Sequence, residues 1–278
     1  MQKFTFELEF QINGIGAASG LVYKNNSLYI IGDNSKFLYE YSIETTGLKR
    51  YPLLENPSEN IIKKEKADFE AIASFENNFY IFGSGSTEKR NRLIEIDSDT
   101  KEIISNKDLT DLYLKMQNTA KIAPTDFNIE GAIMTSKNWY LFNRGNGKNK
   151  ANAIFTISSN WESGSFEIFF NQFNLPEIKG VPTSFTDAIL VDKNIYFLAT
   201  AEDSDSTYND GEVLGSLIGC IDLQTMKIEF TQQISNSKKL EGLTLYKKSP
   251  EQIEFFVCED NDSEELKANV YKLTIPEI

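Results

Sequence analysis

The chain has no histidine in its 278 residues. That absence excludes serine or cysteine triads built on imidazole, HExxH zinc sites and imidazole general bases. Any chemistry must rest on carboxylates, hydroxyls, Lys, Arg or a hard metal ion. Cysteine is nearly absent too. Cys220 and Cys258 sit inside apolar runs (LIGCIDL and FFVCED) without CxxC spacing, so buried free thiols are expected, not a disulfide framework or a thiolate metal site. Basic residues are in deficit, 28 Lys and Arg against 41 Asp and Glu, for a net charge of -13. Such a surface repels phosphate backbones, and nucleic-acid binding is not expected. The opening MQKFTFELEF alternates apolar and polar residues instead of running apolar. Neither a signal peptide nor a membrane anchor is expected from it, and the expected setting is cytoplasmic.

What the chain does have is aromatic residues, twenty Phe and twelve Tyr, the enrichment that pleated surfaces favour. It also repeats itself. The segments SGLVYKNNSLYIIGD from Ser19, EAIASFENNFYIFGSG from Glu70, EGAIMTSKNWYLFNRG from Glu130, TDAILVDKNIYFLATAED from Thr186 and EGLTLYKKSPEQIEFFVCED from Glu241 follow one plan. Each is a short apolar run, a polar turn and a second run carrying an aromatic, which is the signature of a hairpin. Two further strand-like runs follow in most copies, for example RLIEID then KEIISNKDL, and AIFTIS then FEIFFNQF. Four strands per repeat at this length make a blade, and the expected fold is an all-β, five-bladed β-propeller.

The spacing supports a closed ring: 51 residues from Ser19 to Glu70, 60 to Glu130, 56 to Thr186 and 55 to Glu241. After Glu241 there is room for only three strands. The orphan N-terminal strand at 4–12 is therefore expected to pair with NVYKLTI and complete the fifth blade, making residues 1–278 a single domain. A β-sandwich or a six-bladed ring is the alternative, but the near-equal spacing disfavours the first and the lack of a sixth copy the second.

Aligned on the first residue of the innermost strand, the copies bring Ser19, Glu70, Glu130, Thr186 and Glu241 around one axis. Carboxylates converging in a narrow channel repel one another and lose solvation, so they need a compensating cation. Donors that are all oxygen select a hard ion, and Ca²⁺ accepts irregular oxygen coordination more readily than Mg²⁺. The five residues are therefore the expected ligands of a central Ca²⁺, with Asp68, Asp126 and Asp187 flanking them as turn caps or outer supports. The loops after the second strand (GDNSK, GSGSTEKRNR, NRGNGKNK, AEDSDSTYNDGE and CEDNDSEE) lie on the same face. Lys89, Arg90, Arg92, Arg144 and Lys148 in two of them form a local basic group in an acidic chain, suited to an anionic small molecule.

The order Ser, Glu, Glu, hydroxyl, Glu on five innermost strands resembles the calcium-activated nucleotidases, the apyrase family of five-bladed propellers around a central Ca²⁺. Ser19 in SGLVYK, Glu70 in KADFEAIA, Glu130 in NIEGAI, Thr186 in SFTDAI and Glu241 in KLEGLTL carry the likeness. Where that family has an Asp-Asp-Arg run after the second strand, this chain has Gly32-Asp33-Asn34. The openings are also similar to those of phytase-like and lactonase-like propellers and of uncharacterised bacterial propeller proteins. The resemblance implies a calcium-dependent hydrolase of a phosphorylated or otherwise anionic small molecule. For such a hydrolase the loop residues suggest Asp33, which survives from that family's acidic run, or Glu202 as general base, Arg144 with Lys89 to stabilise developing negative charge, and Lys89, Arg92 and Arg144 to hold the substrate. The alternatives are a non-catalytic propeller with a structural Ca²⁺ and a ligand-binding loop face, and a lactone or ester hydrolase. A monomer is expected.

Overall fold

In the computed structural model, residues 4–164, 166–204, 206–207, 211–261 and 266–277 are described. They form five antiparallel sheets. Strand β1 (Thr5–Asn13) is set apart from its sequence neighbours. The first blade is β2 (Gly20–Lys24), β3 (Ser27–Ile31), β4 (Phe37–Ser42) and β5 (Leu48–Pro52), paired in that order. The second is β6 (Phe69–Phe75), β7 (Asn78–Gly83), β8 (Arg92–Asp97) and β9 (Ile103–Asp108). The third is β10 (Ile129–Met134), β11 (Asn138–Asn143), β12 (Ala153–Ser158) and β13 (Ile168–Gln172). The fourth joins β15 (Val181–Val191), β16 (Asn194–Asp203), β17 (Glu212–Asp222) and β18 (Lys227–Ser235), with the two-residue β14 (Glu177–Ile178) added beside β15.

The fifth blade closes the ring. Here β19 (Lys239–Lys248), β20 (Gln252–Asp260) and β21 (Lys267–Pro276) take β1 as their outermost strand, with Thr5 opposite Thr274 and Asn13 opposite Lys267. The innermost strands pack side by side in the cyclic order β2, β6, β10, β15, β19 and back to β2. The five-bladed, four-stranded propeller expected from the repeat is therefore the fold. Joining the first and last strands in one blade removes the open edge that an unclosed ring would present.

Alternation along the strands sets the core. In β3 and β11 the apolar residues are buried on both faces because each blade packs against two neighbours. The outer strands β9 and β13 face solvent, leaving Ile104 and Phe169 exposed. Inner strands approach closely near the axis. A Cβ on Gly242 would meet Cys258 Sγ at 2.5 Å and the Leu21 backbone N at 3.1 Å, so only glycine fits between the fifth and first blades. Both Cys220 and Cys258 are buried free thiols.

One element lies outside the repeat. The helix α1 (Thr110–Ala120) between the second and third blades accounts for the longest spacing between copies. Leu112, Tyr113 and Met116 share its buried face, at the spacing that a helix brings to one side. The Asp108 carboxylate accepts the Thr110 N–H at 2.7 Å, satisfying a donor that the first turn leaves open. Tyr113 donates to Gly83 O at 2.8 Å, and its ring leaves no room for a Cβ at Gly85, whose φ is +75°. No described helix is long and apolar enough to cross a membrane.

Candidate functional site

The aligned residues share a backbone device. In β6, β10, β15 and β19 the pairing with the next strand slips by one residue between Phe69 and Ala71, Ile129 and Gly131, Phe185 and Asp187, and Leu240 and Gly242. Glu70, Glu130, Thr186 and Glu241 are the extra residues. A bulged residue has no partner opposite it, so its side chain leaves the pleat and takes a new direction. In the first blade Ser19 stands just before β2. Its N–H donates to Ile31 O at 3.0 Å, and its Oγ accepts the Asp33 N–H at 3.0 Å.

Three of these residues, Glu70, Glu130 and Glu241, reach a small cavity of about 60 Å³ on the axis. Thr186 does not line it, because its Oγ1 donates to Leu240 O at 2.6 Å and stitches the fourth blade to the fifth. Ser19 is also absent from the lining and supports Asp33 instead. Among the described residues the lining holds seven carboxyl groups (Asp33, Asp68, Glu70, Glu130, Glu202, Glu241 and Asp260) against four basic side chains (Lys66, Arg90, Arg144 and Lys239).

Arg144 stands where the carboxylates converge. Its Nη1 lies 3.3 Å from Glu130 Oε1 and 3.4 Å from Glu241 Oε1, and its Nη2 lies 2.6 Å from Glu202 Oε2. It is 3% exposed, and the three carboxylates hold its guanidinium in the charged form despite burial. Lys239 adds a second cation, 2.9 Å from both Glu241 and Asp260. Glu202 is fully engaged, because its other oxygen accepts the Gly211 N–H at 2.7 Å. These contacts bring four expected catalytic or ligand residues, Arg144, Glu130, Glu202 and Glu241, into one ion cluster whose central cation is a side chain.

On the side of the first and second blades the account is different. Asp68 is held by Arg90 at 2.6 Å and Ser84 Oγ at 2.5 Å, and Asp33 pairs with Lys66. Asp33 Oδ1 is buried and has no hydrogen-bond partner among the described residues. Glu70 is 9% exposed. No described residue donates a hydrogen bond to it or forms an ion pair with it. Burial first, and then the charges of Glu130, Asp68, Asp33 and Glu241, push its carboxyl well above the usual range. Asp33, Asp68 and Glu70 each offer one carboxylate oxygen, and these atoms lie within 4.8 Å of one another. Two oxygens bound to one Ca²⁺ at 2.3–2.6 Å are at most about 5 Å apart, so the trio has the size and the hard-oxygen chemistry of a divalent-cation site.

The remaining expected residues fall elsewhere. Lys89 is exposed and Arg92 half-buried; both line an outer groove with Asn106 and Asp108, whereas Arg90 of the same loop turns into the cavity. Asp126 is buried and caps the third-blade loop by accepting the Asn149 N–H at 3.3 Å. Asp187 accepts the Ala188 and Leu243 N–H groups, each at 2.7 Å. Of the fourth- and fifth-blade loops, residues 205, 208–210 and 262–265 lie outside the described set.

Sequence reasoning missed Lys66, Lys239, Asp260 and Asn128. A signal for two of them was available. Asp68, Asn128, Ser184 and Lys239 each stand two residues before the aligned position, and residues two apart on a strand share a face. Asn128 donates to Glu130 at 2.6 Å, and Ser184 Oγ accepts from Arg144 Nε at 3.4 Å. The inward face therefore begins one step earlier than the alignment suggested.

A family of unknown function, DUF6929, matches residues 14–275. The chain belongs to this family. No curated protein matches it. Among solved structures, this DUF6929 chain is similar to the glutaminyl cyclase of Myxococcus xanthus, at 11% identity over 99% of both chains with a TM-score of 0.56. It is also similar to the WD40 repeats of RRP9, at 6% identity over 98% of this chain and 100% of that one with a TM-score of 0.50. At such identities the likeness is one of fold.

Proposed function

We propose that this DUF6929 protein is a divalent-cation-binding propeller whose site is Asp33, Asp68 and Glu70 at one side of the central channel, with Ca²⁺ as the ion. The observation that carries this reading is Glu70, a buried carboxylate with no described partner beside Asp33 Oδ1, which is likewise unpartnered. A buried, uncompensated charge costs several kcal/mol, on the order of 3–5 when a partner is removed, and a bound cation relieves it. The donors are all oxygen, which selects a hard ion. Among the described residues the cavity is lined by more carboxyl groups than basic side chains, seven against four.

This reading keeps Glu70 from the five-residue ring and replaces the rest. Glu130 and Glu241 are satisfied by Arg144 and Lys239, so the axis itself carries guanidinium and ammonium groups. A cation bound to the trio would act as a Lewis acid toward an anionic small molecule. In this reading Asp33 is a ligand of the cation and not the general base, since Oδ2 pairs with Lys66 and only Oδ1 is left to face the ion. Arg144 and Glu202 serve as struts that fix the channel wall. The apyrase-like specificity belongs to this hydrolytic reading and needs its own test.

Calcium titration by calorimetry on chelator-treated protein tests the site. One binding event in the wild type that disappears in Glu70→Gln is the expected result. Equal Ca²⁺ binding by both proteins would sink the assignment. Phosphate release from nucleoside diphosphates and sugar phosphates, with Ca²⁺ and then with chelator, separates a hydrolase from a binding propeller.

A further inference from the structure

The outermost strands of the five blades are β1, β5, β9, β13 and β18. Each ends its sheet, and an unpaired edge invites pairing with another chain unless charge blunts it. Four of the five are blunted. Strand β1 carries Glu7 and Glu9, β5 Lys49 and Arg50, β9 Lys107 and Asp108, and β18 Lys227 and Glu229. Strand β13, with the sequence IFFNQ, has no charged residue. In a chain of net charge -13 it is the outer edge along which two copies can approach without like charges facing each other.

The edge is apolar and open. Phe169 is 61% exposed and Phe170 40%. Just past the strand, the Phe173 N–H donates to Asn152 O at 2.9 Å. Partners alternate along an antiparallel ladder, so Phe169 and Asn171 turn their backbone groups toward β12, while Ile168, Phe170 and Gln172 turn theirs outward. No described residue hydrogen-bonds to those outward groups. Beside the strand, α1 adds the exposed Leu114, and its Lys115 Nζ donates to Phe166 O at 3.2 Å, shortly before β13 begins.

We propose that β13 is a dimer edge, on which a second copy of this chain pairs antiparallel about a two-fold axis through Phe170. That register sets Phe170 opposite its own counterpart, Phe169 opposite Asn171 of the second copy, and Ile168 opposite Gln172 of the second copy. The outward N–H and C=O groups of the two Phe170 residues then exchange hydrogen bonds, and two four-stranded blades become one eight-stranded sheet. The same register keeps Glu167, which directly precedes the strand, opposite Phe173 and away from its own copy. The proposal departs from the monomer expected above and is independent of the calcium site.

Sedimentation equilibrium of the full chain tests it. The wild type should show a monomer–dimer equilibrium. Phe170→Glu and Phe170→Lys, each alone, set two like charges face to face across the axis and should weaken association about tenfold or more. An equimolar mixture of the two variants sets Glu opposite Lys and should associate about tenfold more tightly than either alone. Phe169→Glu, at a more exposed side chain, should weaken the dimer too, whereas Glu229→Lys on the outer strand β18 should leave it unchanged. Circular dichroism like that of the wild type shows that each variant is folded. A wild type of single-chain mass at every concentration overturns the proposal, as do Phe170 and Phe169 variants that dimerise as the wild type does. A mixture that associates no more tightly than its components refutes the two-fold axis through Phe170.

Discussion

Arg144 Nη2 lies 2.6 Å from Glu202 Oε2, so a side chain from the end of the third blade's second strand meets one from the fourth blade's second strand inside the channel. The same guanidinium reaches Glu130 and Glu241. Removing it leaves Glu130 and Glu202 without a cation, while Glu241 keeps Lys239. Arg144→Met is expected to cost about 3–5 kcal/mol, the range for breaking a buried pair from one side. Urea unfolding of the two proteins measures it, and a loss below about 1 kcal/mol would show that the cluster is compensated in another way.

Glu70 and Glu130 occupy equivalent bulges but have opposite surroundings. In chelator, Glu70→Gln removes a buried carboxyl that no described residue compensates and should raise stability by about 1 kcal/mol, whereas Glu130→Gln weakens the Arg144 cluster and should lower it by about 1–3 kcal/mol. With Ca²⁺ added, the wild type should gain melting temperature and Glu70→Gln should not. Thermal melts of the three proteins, with and without Ca²⁺, check the sign of each difference.

Gly242 sits where the fifth and first blades approach too closely to admit a Cβ. Gly242→Ala places a methyl against Cys258 Sγ and the Leu21 backbone, and the overpacking should cost about 1–3 kcal/mol. A variant as stable as the wild type in urea would show that the inner strands can separate without penalty.

Asp187 gives a pH dependence of defined sign. Burial raises its carboxyl well above the ordinary range, against the lowering effect of the Leu243 and Ala188 N–H groups. Between the ordinary carboxylate value near 4 and the raised folded value, the folded chain holds a proton that the unfolded chain releases. This contribution is therefore complete at the acid end of that window and is lost as pH rises through it. Asp187→Asn keeps the shape and removes the titration. The stability advantage of the wild type over Asp187→Asn should shrink from pH 5 to pH 8, and a gap independent of pH would refute the assignment.

Cutting the chain before Gly14 removes β1 and leaves β21 as an exposed edge at the last blade. The shortened protein is expected to be less soluble and to melt earlier, since an unpaired strand edge invites association. Light scattering and thermal melts read both effects, and unchanged behaviour would mean that closure by β1 is dispensable.

The fold was legible because a propeller is written as a repeat. Five hairpin signatures at near-equal spacing, with one orphan strand before the first and three strands after the last, admit one economical closure. The helix at Thr110–Ala120 was not legible in that way, since it belongs to no repeat and shows only as extra spacing between two copies. The aligned position was legible in part: Glu70, Glu130 and Glu241 do reach the axis. Thr186 does not, because a hydroxyl at a bulge can turn to the nearer carbonyl of Leu240.

The sequence by itself determined the ring and which residue of each inner strand aligns with its counterparts in the other blades, because these follow from periodicity and residue type along one strand at a time. Only the tertiary structure decided which carboxylate is paired with which cation. Arg144, Glu202 and Glu241 come from three different blades, and Lys66 meets Asp33 across two. Charge compensation depends on distances of a few ångströms between strands far apart in the chain, and that is why Glu70 has no partner among the described residues while Glu130 and Glu241 do.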